Sequence, residues 1–119
     1  MLYSVNLGLS KVRGIIIYVK DEISESVTEI NTNICFEETC ILQIRLKRGD
    51  SLMFLCCYRS PTDTESSNKN NSNLLKLLKF MSDKTYSHRC VVGDFNLKDI
   101  DWSNWTTKHF RKSRTEILK

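Results

Sequence analysis

Residues 52–58, Leu-Met-Phe-Leu-Cys-Cys-Tyr, form an uninterrupted apolar run that constrains the fold more than any other segment. A run this short and this apolar is typical of an inner strand whose two faces are both covered. Such a strand needs neighbouring strands on both sides and packed layers above and below it. The chain is therefore predicted to be a globular domain built around a sheet.

Further strands are predicted on both sides of this run. Residues 42–46 alternate apolar and polar side chains, and the short turn around Gly49 joins them to residues 52–58 as a hairpin. β-branched runs at residues 14–19 and 89–93 predict two more buried strands, and a short strand is expected near residues 26–30. The sequence thus supplies enough strands for an extended sheet.

One helix is predicted between the last two central strands. Leu74, Leu77 and Met81 recur at helical spacing, and Ser72 or Asn73 is the expected N-cap. The polar residues 63–72 are predicted to be a loop. The order strand, helix, strand predicts an α/β fold in which a helix crosses between neighbouring parallel strands.

Length and charge limit the function classes. The chain has 119 residues, the size of one domain, and a formal net charge of +4, which permits contact with phosphate without requiring it. No apolar stretch approaches about 18 residues, so no membrane span is expected. The amino end does not resemble a signal peptide, which predicts a nuclear or cytoplasmic location.

Five cysteines without Cys-x-x-Cys spacing predict buried free thiols.

The segment Gly93-Asp94-Phe95-Asn96 follows directly on an apolar strand. In extended chain, Asp94 and Asn96 project to the same side, at the strand edge where ligands bind in α/β sheets. They are suited to hold a divalent metal, an attacking water or a phosphate oxygen. The alternative is an Asx turn, in which the same side chains bond to nearby backbone groups. Gly93 is expected to allow a close approach by another backbone or a ligand.

The segment Tyr58-Arg59-Ser60-Pro61 ends the other central strand. A tyrosine hydroxyl and an arginine guanidinium can both reach a phosphate, whereas the alternative is a strand-end tyrosine beside a solvated arginine. If the two strands are parallel neighbours, their carboxyl ends lie at the same edge of the sheet. Two polar clusters would then meet there.

These two segments, preceded by Arg13 to Lys20, resemble the endonuclease/exonuclease/phosphatase superfamily. The continuation from Leu97 to Ser103 is similar to the endonuclease domain of non-LTR retrotransposons of the jockey and chicken-repeat kind. The resemblance covers about residues 13–105. It implies a DNase-like two-sheet α/β sandwich with outer helices. It also implies a Mg²⁺-dependent nuclease, which nicks target DNA so that the free 3′ hydroxyl primes reverse transcription.

Motif positions that match the family imply roles for single residues. Tyr58 would contact the scissile phosphate, Asp94 would position or activate the attacking water, and Asn96 would hold the phosphate. Asp94 and Asn96 are the expected metal contacts. Arg59 and Trp102 lie beside these motifs and are the expected DNA-binding or phosphate-binding residues.

Other parts of the family's site have no match in this sequence. The metal-binding Glu of the family lies on an earlier strand, and no Ser-Asp-His block follows Trp105. We therefore expect a partial domain over residues 1–105, truncated at both ends, and a basic unmatched tail over residues 106–119. His88 should lie about 20 Å from Asp94 along its strand, too far to act as the base. Glu38, like its neighbour at position 37, is expected to be a surface charge.

Two functions from different classes follow. The first is a fragment of a Mg²⁺-dependent DNA endonuclease that binds Mg²⁺ weakly and is inactive alone, which leaves open whether the chain itself is an enzyme. The second is a non-catalytic nucleic-acid-binding or phosphate-binding module derived from it. A phosphatase or lipid phosphodiesterase of the same superfamily is a third, less favoured by the continuation from Asp99 to Trp102. Expected partners are DNA, the missing half of the domain or the rest of a retrotransposon polyprotein, and further copies of the chain through uncovered apolar strands.

Overall fold

A computed structural model describes most of the chain. The described residues are 2–6, 14–36, 38–60, 65–82, 86–98, 100–101, 103–104 and 106–107. Trp102 and most of the predicted basic tail, including His109, lie outside the described residues. Within the described part, no helix is long and apolar enough to span a membrane.

A four-stranded sheet forms the centre of the protein. Its strands, in spatial order, are β3 (Val27–Ile30), β4 (Thr39–Arg45), β5 (Ser51–Tyr58) and β6 (His88–Asp94). The first three are antiparallel, whereas β5 and β6 run parallel. The apolar run therefore forms an inner strand as predicted, and the carboxyl ends of β5 and β6 lie at the same edge of the sheet.

Helix α1 (Glu65–Met81) connects β5 to β6 and covers one face of the sheet. Leu74, Leu77 and Met81 are buried, as their spacing predicts. They pack in one cluster with alternate residues of β5 and with neighbours from β4 and the segment before it: Phe36, Ile41, Met53, Leu55 and Cys57. The predicted crossover and the α/β class are confirmed.

A small antiparallel sheet of β1 (Leu2–Asn6) and β2 (Gly14–Tyr18) covers the opposite face. Ile15 of β2 is buried in a second cluster together with Val27, Cys40 and Leu42. The alternating residues Ile16 and Tyr18 remain 60% and 83% exposed. The prediction of an uncovered apolar strand face thus holds for β2, whereas both faces of β5 are covered. A third sheet in the described part, formed by two short antiparallel strands, β7 (Ile100–Asp101) and β8 (Thr106–Thr107), follows β6.

Helix α1 begins earlier than its sequence predicts. Residues 65–72 are helical rather than a loop, so neither Ser72 nor Asn73 is the N-cap. The prediction is wrong because Ser and Asn reduce helix stability by only about 0.5 kcal/mol each, which tertiary contacts outweigh. Asn71 Oδ1 accepts a hydrogen bond from Arg59 Nε at 2.7 Å, and Asn73 Nδ2 donates to the Cys35 carbonyl at 2.7 Å.

All five cysteines are free thiols, but they are not equally buried. Cys40 and Cys57 are buried, and burial raises the pKa of Cys40 to about 11 and that of Cys57 to about 12. Thiolates are the reactive form of cysteine, so these two side chains are apolar packing groups at neutral pH. Cys56 and Cys90 are half-buried and Cys35 is exposed, so the predicted burial is confirmed for Cys40 and Cys57 and wrong for Cys35.

Candidate phosphate-binding edge

The carboxyl ends of β5 and β6 bring Tyr58 and Asp94 together. The two residues are in register across the parallel pair. The hydrogen bonding between the two chain segments extends one residue beyond β5, since the Arg59 N–H donates to the Asp94 carbonyl at 2.8 Å. Tyr58 is half-buried and Asp94 is exposed. The sequence-predicted meeting of the two polar segments at one edge is therefore observed.

Gly93 allows the two strands to approach closely just before this edge. It lies opposite Cys57 and has a φ of +156°. A Cβ atom at this position would lie 1.9 Å from the Cys57 carbonyl oxygen. No side chain can occupy that space, so the predicted close backbone approach is confirmed.

Asn96 folds back toward Asp94 in an Asx turn. Its backbone N–H donates to Asp94 Oδ1 at 3.1 Å, and its φ of +45° ends the extended conformation. The Asn96 side chain donates from Nδ2 to the Arg59 carbonyl at 2.6 Å. The extended geometry predicted for residues 94–96 is therefore wrong at Asn96, and the turn alternative describes the backbone. Both residues nevertheless remain together at the edge.

Arg59 lies inside the protein, with only 5% of its surface exposed. Its Nε donates to Asn71 of α1, while one terminal nitrogen lies 3.1 Å from the Asn96 carbonyl and 3.4 Å from the Phe95 carbonyl. The same nitrogen is 3.5 Å from the Ser60 carbonyl. The guanidinium is thus neither solvated nor directed to the surface, and it holds the turn after β6 from within.

The turn after β6 lines an open cavity of about 450 Å³. Its walls are formed by Gly93 to Lys98. Lys98 is exposed and is the cation of this wall. Sequence reasoning missed Lys98, although its position two residues after Asn96 was a usable signal. Among the described residues of this wall, one carboxylate, the Asn96 amide and one ammonium suit a phosphate accompanied by a cation.

Glu38 is a second residue that sequence reasoning misplaced. It is only 2% exposed, so the expectation of a surface charge is wrong for this residue. Its carbonyl accepts a hydrogen bond from the Tyr58 N–H at 3.0 Å, because β4 begins beside the point where β5 ends. The usable signal was the antiparallel hairpin itself, whose register places Glu38 opposite Tyr58.

The edge offers few ligands for Mg²⁺. Asp94 supplies one exposed carboxylate, of which Oδ1 already accepts the Asn96 N–H. Among the described residues, no group of three or more His, Cys, Asp or Glu side chains could hold a metal ion. Mg²⁺ is commonly bound by one or two carboxylates and substrate phosphates. Asp94 and the Asn96 amide oxygen therefore fit a weak site that needs the phosphate itself to complete it.

Two other polar positions lie apart from this edge. His88 pairs with Leu52 at the opposite end of β6, and its Nδ1 lies 3.0 Å from Ser87 Oγ. The predicted separation of His88 from Asp94 is confirmed. Asp101 closes the turn after β7, where hydrogen bonds from Ser103 and Asn104 lower the pKa of its carboxyl to about 2.

Comparisons with known proteins add no relative. No family model matches the chain, and neither the curated proteins nor the solved structures gave a match.

Proposed function

We propose that this chain is part of a Mg²⁺-dependent DNA endonuclease domain of the non-LTR retrotransposon kind. In this proposal the edge at Tyr58, Asp94 and Asn96 binds the phosphodiester that the complete domain nicks. The proposal includes a DNase-like two-sheet α/β sandwich as the architecture of the complete domain. The chain by itself binds DNA and does not cut it.

One observation carries the proposal: the register of Tyr58 with Asp94 at the shared end of two parallel strands. A tyrosine hydroxyl, a carboxylate and an amide at one edge are groups that can contact a phosphate, directly or through a cation. The packing of the β1–β2 sheet on the central sheet agrees with a two-sheet arrangement.

Each residue has a separate part in the proposed chemistry. The Tyr58 hydroxyl donates to a non-bridging phosphate oxygen, and the Asn96 amide contributes no repelling charge beside it. Asp94 repels phosphate unless a cation lies between them, so it requires Mg²⁺ for productive binding. Bound Mg²⁺ would polarise the phosphate and neutralise its developing charge.

We expect DNA binding that depends on both salt and Mg²⁺. The logarithm of the binding constant should fall linearly with the logarithm of the salt concentration, with a slope of about −2 to −3 for two or three phosphate contacts. Mg²⁺ should strengthen binding about tenfold, the effect of one charge-assisted contact. Fluorescence anisotropy of a short labelled duplex, in EDTA and in Mg²⁺, measures both quantities.

Asp94→Asn tests whether this edge is responsible. The variant should lose the Mg²⁺ enhancement while it retains, or exceeds, the wild-type affinity in EDTA, because a repelling charge is removed. Asp50→Asn is the matched control, since Asp50 is an exposed carboxylate beside the start of β5, at the other end of the sheet. An equal loss of enhancement in both variants would exclude the edge as the binding site.

The second candidate, a non-catalytic phosphate-binding module, is favoured by the internal hydrogen bonds of Asp94 and Asn96. It predicts salt-dependent binding that Mg²⁺ and Asp94→Asn leave unchanged.

A supercoiled-plasmid assay in Mg²⁺ separately tests the proposed lack of activity. Robust nicking that Asp94→Ala abolishes would show that the chain is an active enzyme.

A further inference from the structure

Arg59 connects three parts of the protein that meet at the proposed binding edge. It follows β5 directly, reaches Asn71 on α1, and contacts the carbonyls of Phe95 and Asn96 after β6. The backbone of Arg59 is engaged as well, since its N–H donates to Asp94 and its carbonyl accepts the Asn96 side chain. Arg59 and Asn96 therefore hold each other through side chain and backbone in both directions.

The geometry of these bonds requires a guanidinium rather than a positive charge alone. Nε and a terminal nitrogen point in fixed directions of one plane, which suits two acceptors on different elements. An ammonium group is a single point with rotating donors and cannot match both acceptors in the same way. Burial makes the cost of a lost partner high, because a buried donor cannot turn to water.

The backbone of Asn96 shows what this arrangement holds in place. A non-glycine residue with a φ of +45° is in a sparsely populated conformation, which Asn tolerates better than most residues. Such a conformation persists when surrounding contacts fix it. Two hydrogen bonds are contacts of that kind. The Arg59 guanidinium donates to the Asn96 carbonyl, and the Asp94 carboxylate accepts from the Asn96 N–H.

We infer that Arg59 is a positioning residue, which acts through Asn96 to shape the Gly93–Lys98 wall of the cavity and which α1 supports through Asn71. It does not itself contact the phosphate. This role differs from the DNA contact expected for Arg59 from its place in the sequence, and it makes the first half of α1 part of the binding edge.

Amide hydrogen exchange measured by NMR tests this inference without any ligand. In Arg59→Gln and in Asn71→Leu, the backbone amides at positions 59 and 96 should exchange about tenfold faster than in the wild-type chain. That is the effect of losing one hydrogen bond. Arg59→Lys should behave like Arg59→Gln, although it keeps the charge. Amides of the β4–β5 ladder should be unchanged, as all amides should be in the matched control Arg48→Gln, an exposed arginine in the turn before β5.

Three exchange results would overturn the inference. They are wild-type exchange at Asn96 in Arg59→Gln, full rescue by Arg59→Lys, and faster exchange throughout the sheet in both Arg59→Gln and Asn71→Leu. The last result would make Arg59 a general stabilising residue. Asn71→Leu keeps the test decisive if Arg59→Gln unfolds, because it removes one acceptor and leaves the buried cation in place.

DNA binding gives a second readout, which rests on the proposed function. Asn71→Leu changes no charge, yet it should weaken binding of the short labelled duplex about tenfold if the wall must be pre-shaped. A direct charge contact would instead leave Asn71→Leu and Arg59→Lys at wild-type affinity, which overturns the inference. If the wild-type chain does not bind DNA, the proposed function fails, and the exchange experiment alone decides the role of Arg59.

Discussion

Gly93→Ala should lower the free energy of unfolding by about 4 kcal/mol, from steric overlap and backbone strain together. The added Cβ would lie 1.9 Å from the Cys57 carbonyl oxygen. Both atoms are fixed to backbones in register, so no side-chain rotation relieves the overlap and the two strands must separate. Urea denaturation followed by circular dichroism measures the loss.

Gly49→Ala is the matched control for this substitution. Gly49 also has a positive φ, of +79°, but a Cβ there meets nothing within 4 Å. It should cost about 1 kcal/mol, from the left-handed backbone alone. An equal cost for the two variants would contradict the close approach of β5 and β6, and with it the geometry of the binding edge.

Asn70→Pro should lower the free energy of unfolding by about 3 kcal/mol, because proline in a helix interior removes a hydrogen bond and clashes with the preceding turn. Asn70 lies in the sixth position of α1, in a stretch whose sequence predicts a loop. Urea denaturation followed by circular dichroism measures both the helical signal and the stability.

Glu65→Pro is the control within the same helix. Glu65 is the first residue of α1, where proline is well tolerated because the N–H has no helical acceptor. Its effect should be within about 0.5 kcal/mol of zero, as for most substitutions away from special features. If Asn70→Pro is equally harmless, the chain before Leu74 is a loop, and the link from Arg59 to Asn71 is contradicted.

The central sheet could be predicted from the sequence because its signals are local. The apolar run of β5, the alternation in β4 and the leucine spacing of α1 each lie within a few consecutive residues. The first half of α1 and strand β1 could not be predicted in the same way. Their residues have weak local preferences, and they are ordered by contacts with distant elements, such as Asn73 with Cys35.

The candidate site likewise has features that local sequence signals predict and features that depend on distant contacts. The parallel order of β5 and β6 was enough to bring Tyr58 to Asp94. The burial of Arg59 was not predictable, because it depends on partners on other elements, whereas the hairpin register was a usable signal for Glu38. Arg59 reaches a carbonyl 37 residues away in sequence. The positive φ of Asn96 depends on that contact too. The extended conformation predicted for residues 94–96 is therefore wrong at Asn96.

We expect a DNA phosphate to bind where β5 and β6 end. Chemical-shift mapping tests it most directly: a short duplex with Mg²⁺ is added to the isotope-labelled full chain and the backbone amides are followed by NMR. Binding at this edge predicts the largest shift changes at Tyr58, Asp94, Asn96 and Lys98. Changes confined to the β1–β2 sheet or to the opposite end of β6 near His88, or none at all, would contradict it.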